Sequence, residues 1–397
     1  MRILMINVVC GIRSTGRICT DLATALESQG HEVKIAYGRE EVPDQFKKYA
    51  VRIGNDLDVK LHGVKARLFD ACGFGSKRAT LEFIKWIPKY DPDVIHLHNL
   101  HGYYINIEVL FDYLRTCNKR IIWTLHDCWA FTGHAAFCEG VNCKKYIKGC
   151  YSCPKIGDYP KSIVDKAASN WEKKKTTFGG ISNLTIVTPS DWLKRLLSDS
   201  FLKCYKVQVI KNGINTDIFK PIDDIDTINE QLGLGDKRIV LGVAAVWEDR
   251  KGLNDFILLN QLLDNEKYQI VLVGVSKKQI ETLPKSILGL PKTNSVQQLV
   301  ELYNLAYVFV NPTYEDNYPT TNLEAISCGT PVITYNTGGS PESAKLYGIV
   351  VEKGNIQGIV NAIEEKIDKF KDAPTVSFDS AKFVNEYVSL LSISETI

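Results

Sequence analysis

The chain contains no run of 18 apolar residues, no internal repeat and no low-complexity tract. The first absence argues against a bilayer-spanning helix. The second excludes a repeat array, and the third a fibrous or disordered composition. Neither GxGxxG nor GxxxxGK[ST] occurs, so the usual phosphate-loop signatures of dinucleotide and ATP binding are missing. Charge of one sign is missing too. The 48 Lys and Arg stand against 46 Asp and Glu, and no nucleic-acid partner is expected. The opening Met1-Arg-Ile-Leu-Met-Ile-Asn-Val-Val is too short for a secretory signal and lacks a small-residue cleavage site, so it reads as a first buried strand.

What is present is ordinary globular composition, 45% hydrophobic and 24% charged over 397 residues. That length exceeds one core and suits two domains of about 150–200 residues each. Eleven cysteines without an export signal point to a reducing cytoplasm, where thiols stay free or bind metal. The near-zero balance hides an asymmetry. Residues 1–189 hold 27 Lys and Arg against 19 Asp and Glu, and residues 190–397 hold 21 against 27. A basic first half suits an anionic lipid surface at the inner face of a membrane. Solvated helix faces such as Lys173-Lys174-Lys175 are the plainer reading.

Short apolar runs alternate with helical patterns, which predicts α/β architecture with parallel sheets. Strands are expected at Ile3–Asn7, Glu32–Ala36, Val94–His98, Ile121–Leu125 and Leu184–Thr188, then at Ile239–Ala244, Tyr268–Val273, Tyr307–Val310 and Pro331–Tyr335. Two sets imply two Rossmann-like domains facing across a cleft, residues 1–189 and 190–378. A tail helix from about Asp379 carries Phe383, Tyr387, Leu390 and Leu391 at helical spacing. Ligands of such sheets bind at the carboxyl ends of strands, where nearly every motif falls.

The densest motif is Asp316-Asn-Tyr-Pro-Thr-Thr-Asn-Leu-Glu324, followed by Ala-Ile-Ser-Cys-Gly329. Glu324 is expected to open a short helix ending before Gly329. The loop before it would aim backbone N–H groups at an anion such as a diphosphate. Two carboxylates beside that anion would accept from hydroxyl-rich groups on either side, the outline of a nucleotide-sugar. Capping of the helix by its acids is the alternative. Arg250-Lys251-Gly252 sits at a strand-to-helix junction and suits phosphate, with a solvated surface pair as the alternative. Near the amino terminus, Cys10-Gly11-Ile-Arg13-Ser-Thr-Gly16-Arg17 pairs two glycines with two cations; a tight turn is the plain reading. His96-Leu-His98-Asn-Leu-His101 and His126-Asp127 lie at strand ends. The H-x-H spacing suggests metal, but no carboxylate completes a site, and hydrogen bonding to hydroxyls and phosphate fits better. Cys138, Cys143, Cys150 and Cys153 have the count for structural zinc at unusual spacings, His134 being a substitute ligand; a loop of free thiols is the other reading.

Taken in order, these motifs resemble the retaining glycosyltransferases of family 4, the glycosyltransferases group 1 proteins of GT-B fold, in their bacterial exopolysaccharide and colanic-acid branch. Asp316 to Glu324 resembles the family's E-x7-E signature, with Asp316 or neighbouring Glu315 at the first carboxylate. The resemblance implies a donor site of Gly16, Arg250, Lys251, Glu315, Asp316, Asn317, Tyr318, Pro319, Thr321, Asn322, Leu323 and Glu324. In it Glu324 holds the ribose and Asp316 lies on the sugar side. Lys251 matches the family's R-x5-K pair, but Ala245 stands where its Arg belongs, and Arg250 is the substitute. Thr124-Leu-His126-Asp127 matches the T-x-H-D element, which makes His126 and Asp127 catalytic candidates with Asp316 and Lys251. Gly11, Arg13, Arg17, His98 and His101 fall on the acceptor or sugar side, and the Cys-rich insertion at about 128–160 is assigned to acceptor recognition. Gly338-Gly339-Ser-Pro-Glu342 resembles the glycine pair that closes on the donor.

The implied activity is hexosyl transfer from a nucleotide-sugar, UDP- or GDP-linked, to a glycan or lipid-linked glycan in surface polysaccharide biosynthesis. No cofactor is required for the catalysis. A GT-B nucleotide-sugar epimerase and a non-catalytic nucleotide-binding relative are the alternatives.

Overall fold

Runs such as Ile239-Val-Leu-Gly-Val and Tyr268-Gln-Ile-Val-Leu-Val are apolar at nearly every position rather than at alternate ones, the pattern of strands covered on both faces. The computed structural model places them so. It describes every residue except 224–228, 231–232, 371–377, 379 and 393–397. Two units emerge, one of Met1–Lys211 with the chain from Phe383 onward, the other of Asn212–Lys382.

The first unit contains β1 (Arg2–Ile6), α1 (Arg13–Ser28), β2 (Glu32–Tyr37), β3 (Ala50–Arg52), α2 (Asp56–Phe69), α3 (Lys77–Tyr90) and β4 (Val94–Leu97). It continues with α4 (Ile107–Leu114), β5 (Arg120–Thr124), α5 (Ala167–Phe178), β6 (Leu184–Thr188), α6 (Asp191–Ser198) and β7 (Lys206–Val209). The second contains β8 (Arg238–Val243), α7 (Leu253–Leu262), β9 (Tyr268–Val273), α8 (Lys277–Thr282), β10 (Ile287–Leu290) and α9 (Val296–Leu305). After these come β11 (Ala306–Asn311), α10 (Thr320–Ser327), β12 (Val332–Tyr335), α11 (Ser340–Ala344), β13 (Gly348–Val351) and α12 (Ile356–Asn361). A last helix, α13, spans Ser380–Ser392.

Among the described residues the strands form two parallel sheets, ordered β3-β2-β1-β4-β5-β6-β7 and β10-β9-β8-β11-β12-β13. In each, strand order reverses beside the unit's first strand, β1 next to β4 and β8 next to β11. That reversal leaves a crevice at the strands' carboxyl ends. It lies by the loop after β1 and His98 in one unit, and by Arg250-Lys251 and Asp316 in the other. Apolar side chains pack against both faces of each sheet.

Three sequence expectations shift. The first unit runs past residue 189 to Lys211, because Thr185 to Thr188 pair with Lys206 to Val209 and bring β7 into the first sheet. Glu324 does not open its helix; it lies in the second turn of α10, which begins at Thr320 directly after Pro319 in an extended conformation. Lys174 is not on a solvated face. Asn170, Trp171, Lys174, Thr177 and Phe178 form the inward face of α5 at helical spacing. The Lys174 ammonium donates to the Trp129 and Thr132 carbonyls at 2.7 and 3.0 Å, and burial lowers its pKa to about 7. Asp379, where the tail helix was expected to begin, lies outside the described residues. From Phe383 the helix packs into the first unit, where Phe383, Val384, Tyr387, Leu390 and Leu391 join the core beneath β1 and α1. Among the described residues no helix is long and apolar enough to cross a membrane.

Candidate functional site

In the second unit the chain leaves β8 through a turn, Asp249–Lys251, that ends at Gly252 in the left-handed region. Two bonds lock this turn to the loop after β11: Tyr314 N donates to the Arg250 carbonyl at 2.7 Å, and Thr313 Oγ1 donates to the same oxygen at 3.2 Å. The Lys251 ammonium thereby meets Asp316, Nζ to Oδ2 at 2.5 Å, with both side chains largely buried. The Arg250 guanidinium donates to the Glu315 carbonyl at 3.3 Å and pairs with Glu248 at 3.1 Å. Burial opposes ionisation of Asp316, but Lys251 and Arg250 outweigh it and hold the carboxyl below its ordinary range. Two cations and a carboxylate therefore stand within one turn of the start of α10.

Gly338 closes the same loop. Its φ is +59°, and a Cβ there would lie 1.9 Å from the Asp316 carbonyl oxygen; that oxygen accepts from Gly339 N at 3.1 Å. Only a residue without a side chain allows this approach.

The carboxylates and amides around it divide by use. Glu324 is buried, and Tyr303 OH donates to its Oε2 at 3.0 Å. Asn322 is consumed within the unit: its Oδ1 accepts from Asn311 at 2.8 Å, its Nδ2 reaches Ser340 and Ser343, and its N–H bonds Pro319 O. Glu315, Asn317, Tyr318 and Leu323 are buried as well. Pro319, Thr320 and Thr321 form the helix entry. Asp255, which no motif singles out, accepts from Tyr314 and Tyr335 hydroxyls at 3.2 and 2.7 Å and steadies this loop.

In the first unit the loop after β1 turns at Gly11, whose N donates to Gly16 O at 3.2 Å. Gly16 is buried, while Arg13 and Arg17 are exposed. Arg13 is paired with Glu40 at 2.6 Å, a partner the sequence did not suggest. His98 and His126, past the ends of β4 and β5, stack with ring centroids 5.4 Å apart, and His98 Nδ1 lies 3.1 Å from His126 Nε2. Burial lowers the His126 pKa to about 4, against the pull of Asp127, and drives His98 well below its ordinary value. Both rings are neutral at physiological pH. His101 Nε2 pairs with Asp127 at 2.8 Å and its Nδ1 lies 3.0 Å from Tyr159 OH, while Asp127 also accepts from Trp129 N. Burial opposes the Asp127 charge, yet His101 and that amide keep its pKa low. His96 reaches outward differently: its Nε2 bonds Thr124 Oγ1, which bonds Tyr387 OH of α13, both at 2.8 Å.

Cys138, Cys143, Cys150 and Cys153 line one cavity of about 20 Å³ with His134. His134 Nδ1 is held by Asp70 at 2.5 Å. Among the described residues no three His, Cys, Asp or Glu groups are placed to hold a metal ion.

Comparison with known proteins identifies the class. The Glycosyltransferase Family 4 model matches residues 15–218 and the Glycosyl transferases group 1 model residues 224–373. The solved structure of Anabaena HepE in complex with UDP superposes with a TM-score of 0.69 at 14% identity, covering 99% of this chain and all of that one. The molecule is a nucleotide-sugar-dependent glycosyltransferase of GT-B fold. The chain belongs to glycosyltransferase family 4. It is 23% identical to WcaC of Escherichia coli K12, named as a colanic acid biosynthesis glycosyl transferase, over 98% of this chain and 99% of that one. It is 26% identical, over 43% of its length and 48% of the relative's, to the Escherichia coli UDP-Gal:alpha-D-GlcNAc-diphosphoundecaprenol alpha-1,3-galactosyltransferase.

Proposed function

We propose that this glycosyltransferase works with retention, moving a sugar from a nucleotide-sugar onto a glycan or lipid-linked glycan during surface polysaccharide assembly. The observation carrying the reading is the Lys251–Asp316 pair at the entry to α10. It sets a cation for a diphosphate against a carboxylate for a sugar hydroxyl within one turn of a helix N-terminus. The UDP bound by HepE, the undecaprenol-linked acceptor in one relative's name and the colanic acid in another's support the choice of reactants.

In this reading residues 212–378 bind the donor. Lys251 and Arg250 meet the diphosphate, Thr321 and the Asn317–Pro319 loop enclose it, and Glu324, oriented by Tyr303, accepts from the ribose hydroxyls. Asp316 or Glu315 takes the sugar. Residues 1–211 serve the acceptor, with His126 as hydrogen-bond donor and Asp127, His98 and His101 arranged behind it. Gly11, Gly16, Arg13 and Arg17 lie at the loop near the reacting groups. The bond from anomeric carbon to phosphate oxygen breaks as the acceptor oxygen bonds that carbon on the same face, and the acceptor's proton passes to the departing phosphate. His126, neutral at pH 7, positions groups rather than taking this proton. The lysine and arginine neutralise the leaving charge, so the transfer is proposed to need no metal. The four cysteines share one cavity but are not arranged to hold a metal ion among the described residues. Metal analysis of protein purified without chelator tests a structural zinc there, close to one equivalent supporting it and well under one ending it.

The test is a melting screen with UDP- and GDP-sugars, followed by product analysis with and without acceptor. Donor at about 100 times its dissociation constant adds roughly 2.7 kcal/mol. Nucleotide released with no acceptor present would favour an epimerase, and no shift with any donor would overturn the reading.

A further inference from the structure

The amphipathicity of α2 is inverted. Its inward face is mostly small or polar: His62 and Ala66 are 2% and 1% exposed, Gly63 lies beside them, and Val59 packs against the core. Its other large apolar side chains point to solvent. Leu57, Leu61, Val64 and Leu68 are 63%, 60%, 55% and 40% exposed. Spacings of four, three and four residues keep these four within about 60° of one another around the helix. The ridge continues onto Phe69 and Ile163, 54% and 64% exposed, since Ile163 N donates to the Arg67 carbonyl at 2.9 Å.

Cations flank the ridge. Exposed Lys60 and Arg67 lie on one side of the stripe and Lys65 on the other, and the Lys166 ammonium lies 5.9 Å from the Phe69 ring. The helix's two acids at its start are engaged locally. Asp56 pairs with Arg52, and Asp58 accepts from Asn55 N in the capping box. The Lys65 ammonium donates to the Phe74 carbonyl at 3.0 Å, and among the described residues Lys60, Lys65 and Arg67 make no ion pair. An apolar stripe bordered by such cations is the profile of a helix lying in an anionic lipid interface. Two copies joined along this stripe would bring the same cations together, which disfavours self-association.

The inner side of α2 leads to the acceptor-side cluster. His62 accepts from Gly73 N and Gly75 N at 3.2 and 3.0 Å, and its ring lies 5.9 Å from Tyr103. Tyr103 lies 6.2 Å from Tyr159, whose hydroxyl bonds His101, the partner of Asp127.

We infer that α2 with the Ile163 loop is the surface by which the enzyme docks on an anionic membrane. It thereby presents the His101–Asp127 end of the first unit to an acceptor anchored in that membrane. The inference rests on the lipid-linked acceptor of the proposed function and specifies where that lipid's bilayer is met.

The experiment is co-sedimentation of the full chain with phosphatidylcholine vesicles, with and without phosphatidylglycerol. Wild type is expected to bind the anionic vesicles and to release in high salt. The variant Leu57→Ser/Leu61→Ser/Leu68→Ser should bind them about tenfold or more weakly, and Lys60→Glu/Arg67→Glu should lose a comparable factor. Both should keep their melting temperature and their transfer to a short soluble acceptor. Wild-type binding indifferent to phosphatidylglycerol, or a well-folded triple serine variant that binds like wild type, overturns the inference. So does a wild-type dimer that the triple variant dissociates, since the ridge would then belong to a second copy. Lost vesicle binding with intact transfer bears on this surface alone, whereas absent donor binding with intact vesicle binding defeats the transferase reading and leaves the surface standing.

Discussion

Lys251 Nζ and Asp316 Oδ2 lie 2.5 Å apart, so the cation proposed to meet a diphosphate is already answered by a carboxylate. Removing the cation and removing its partner should have opposite effects on nucleotide binding. Lys251→Ala is expected to weaken UDP or GDP binding by about 10–100-fold, the worth of a charge-assisted hydrogen bond of roughly 1.5–3 kcal/mol. Asp316→Asn should tighten binding of the bare nucleotide while lowering transfer. Calorimetric titration of both variants decides this, and unchanged nucleotide affinity in Lys251→Ala would remove Lys251 from the site.

Gly338→Ala places a Cβ 1.9 Å from the Asp316 carbonyl oxygen at a φ of +59°. The loop must shift or strain, at roughly 1–3 kcal/mol. Donor affinity should fall with Asp316 displaced, while far-UV circular dichroism stays that of the wild type. A Gly338→Ala protein with wild-type melting and wild-type donor affinity would contradict the close approach.

His126→Ala should lower kcat by about 100–1000-fold, roughly 3–4 kcal/mol, as expected for loss of one aimed donor. His98 acts on His126 through a 3.1 Å contact, and His98 Nε2 is buried with no hydrogen-bond partner among the described residues. An orphaned lone pair is more tolerable than an orphaned N–H, so His98 should carry its proton on Nδ1 and donate to His126 Nε2. Nitrogen NMR of selectively labelled protein reads the two tautomers directly. A proton found on His126 Nε2 would reverse this assignment.

Stability should fall as the pH is lowered from about 7 to about 5. His62 and His126 are lowered to about 4 and His96 to about 3, and His98 is lowered well below its ordinary value, burial being the main cause in each. Between the unfolded value of 6.5 and these folded values the unfolded chain binds more protons, so stability rises with pH across that window and is lost on descending it. Each ring contributes up to about 1.4 kcal/mol per pH unit there. Urea midpoints across the window test the slope, and a flat profile would show that these rings are protonated in the native state.

Much of the fold was legible because a central parallel strand announces itself: Leu184–Thr188 and Tyr268–Val273 are read from sequence at the bounds the structure gives them. The strands without a sequence signal, β3, β7, β10 and β13, stand at or beside sheet edges in the observed order, where shorter and partly exposed runs carry weaker patterns. Lys251, Asp316 and Gly338 could be named from chain order and turn chemistry. Their mutual distances could not, because residues 65 positions apart meet only when β8 and β11 pair.

By itself the sequence determined the kind of molecule: two α/β units, a cation-glycine turn after one strand, paired carboxylates after another, and histidines at strand ends. Such features are local, written in periodicity and in residue types that only certain backbone positions tolerate. Tertiary structure alone decided which groups are engaged and which are presented. It buried Lys174 against two carbonyls, gave Arg13 to Glu40, closed Asn322 within its own unit and turned the apolar side of α2 outward. Those outcomes depend on what packs across from each side chain, and a linear pattern carries no record of that partner.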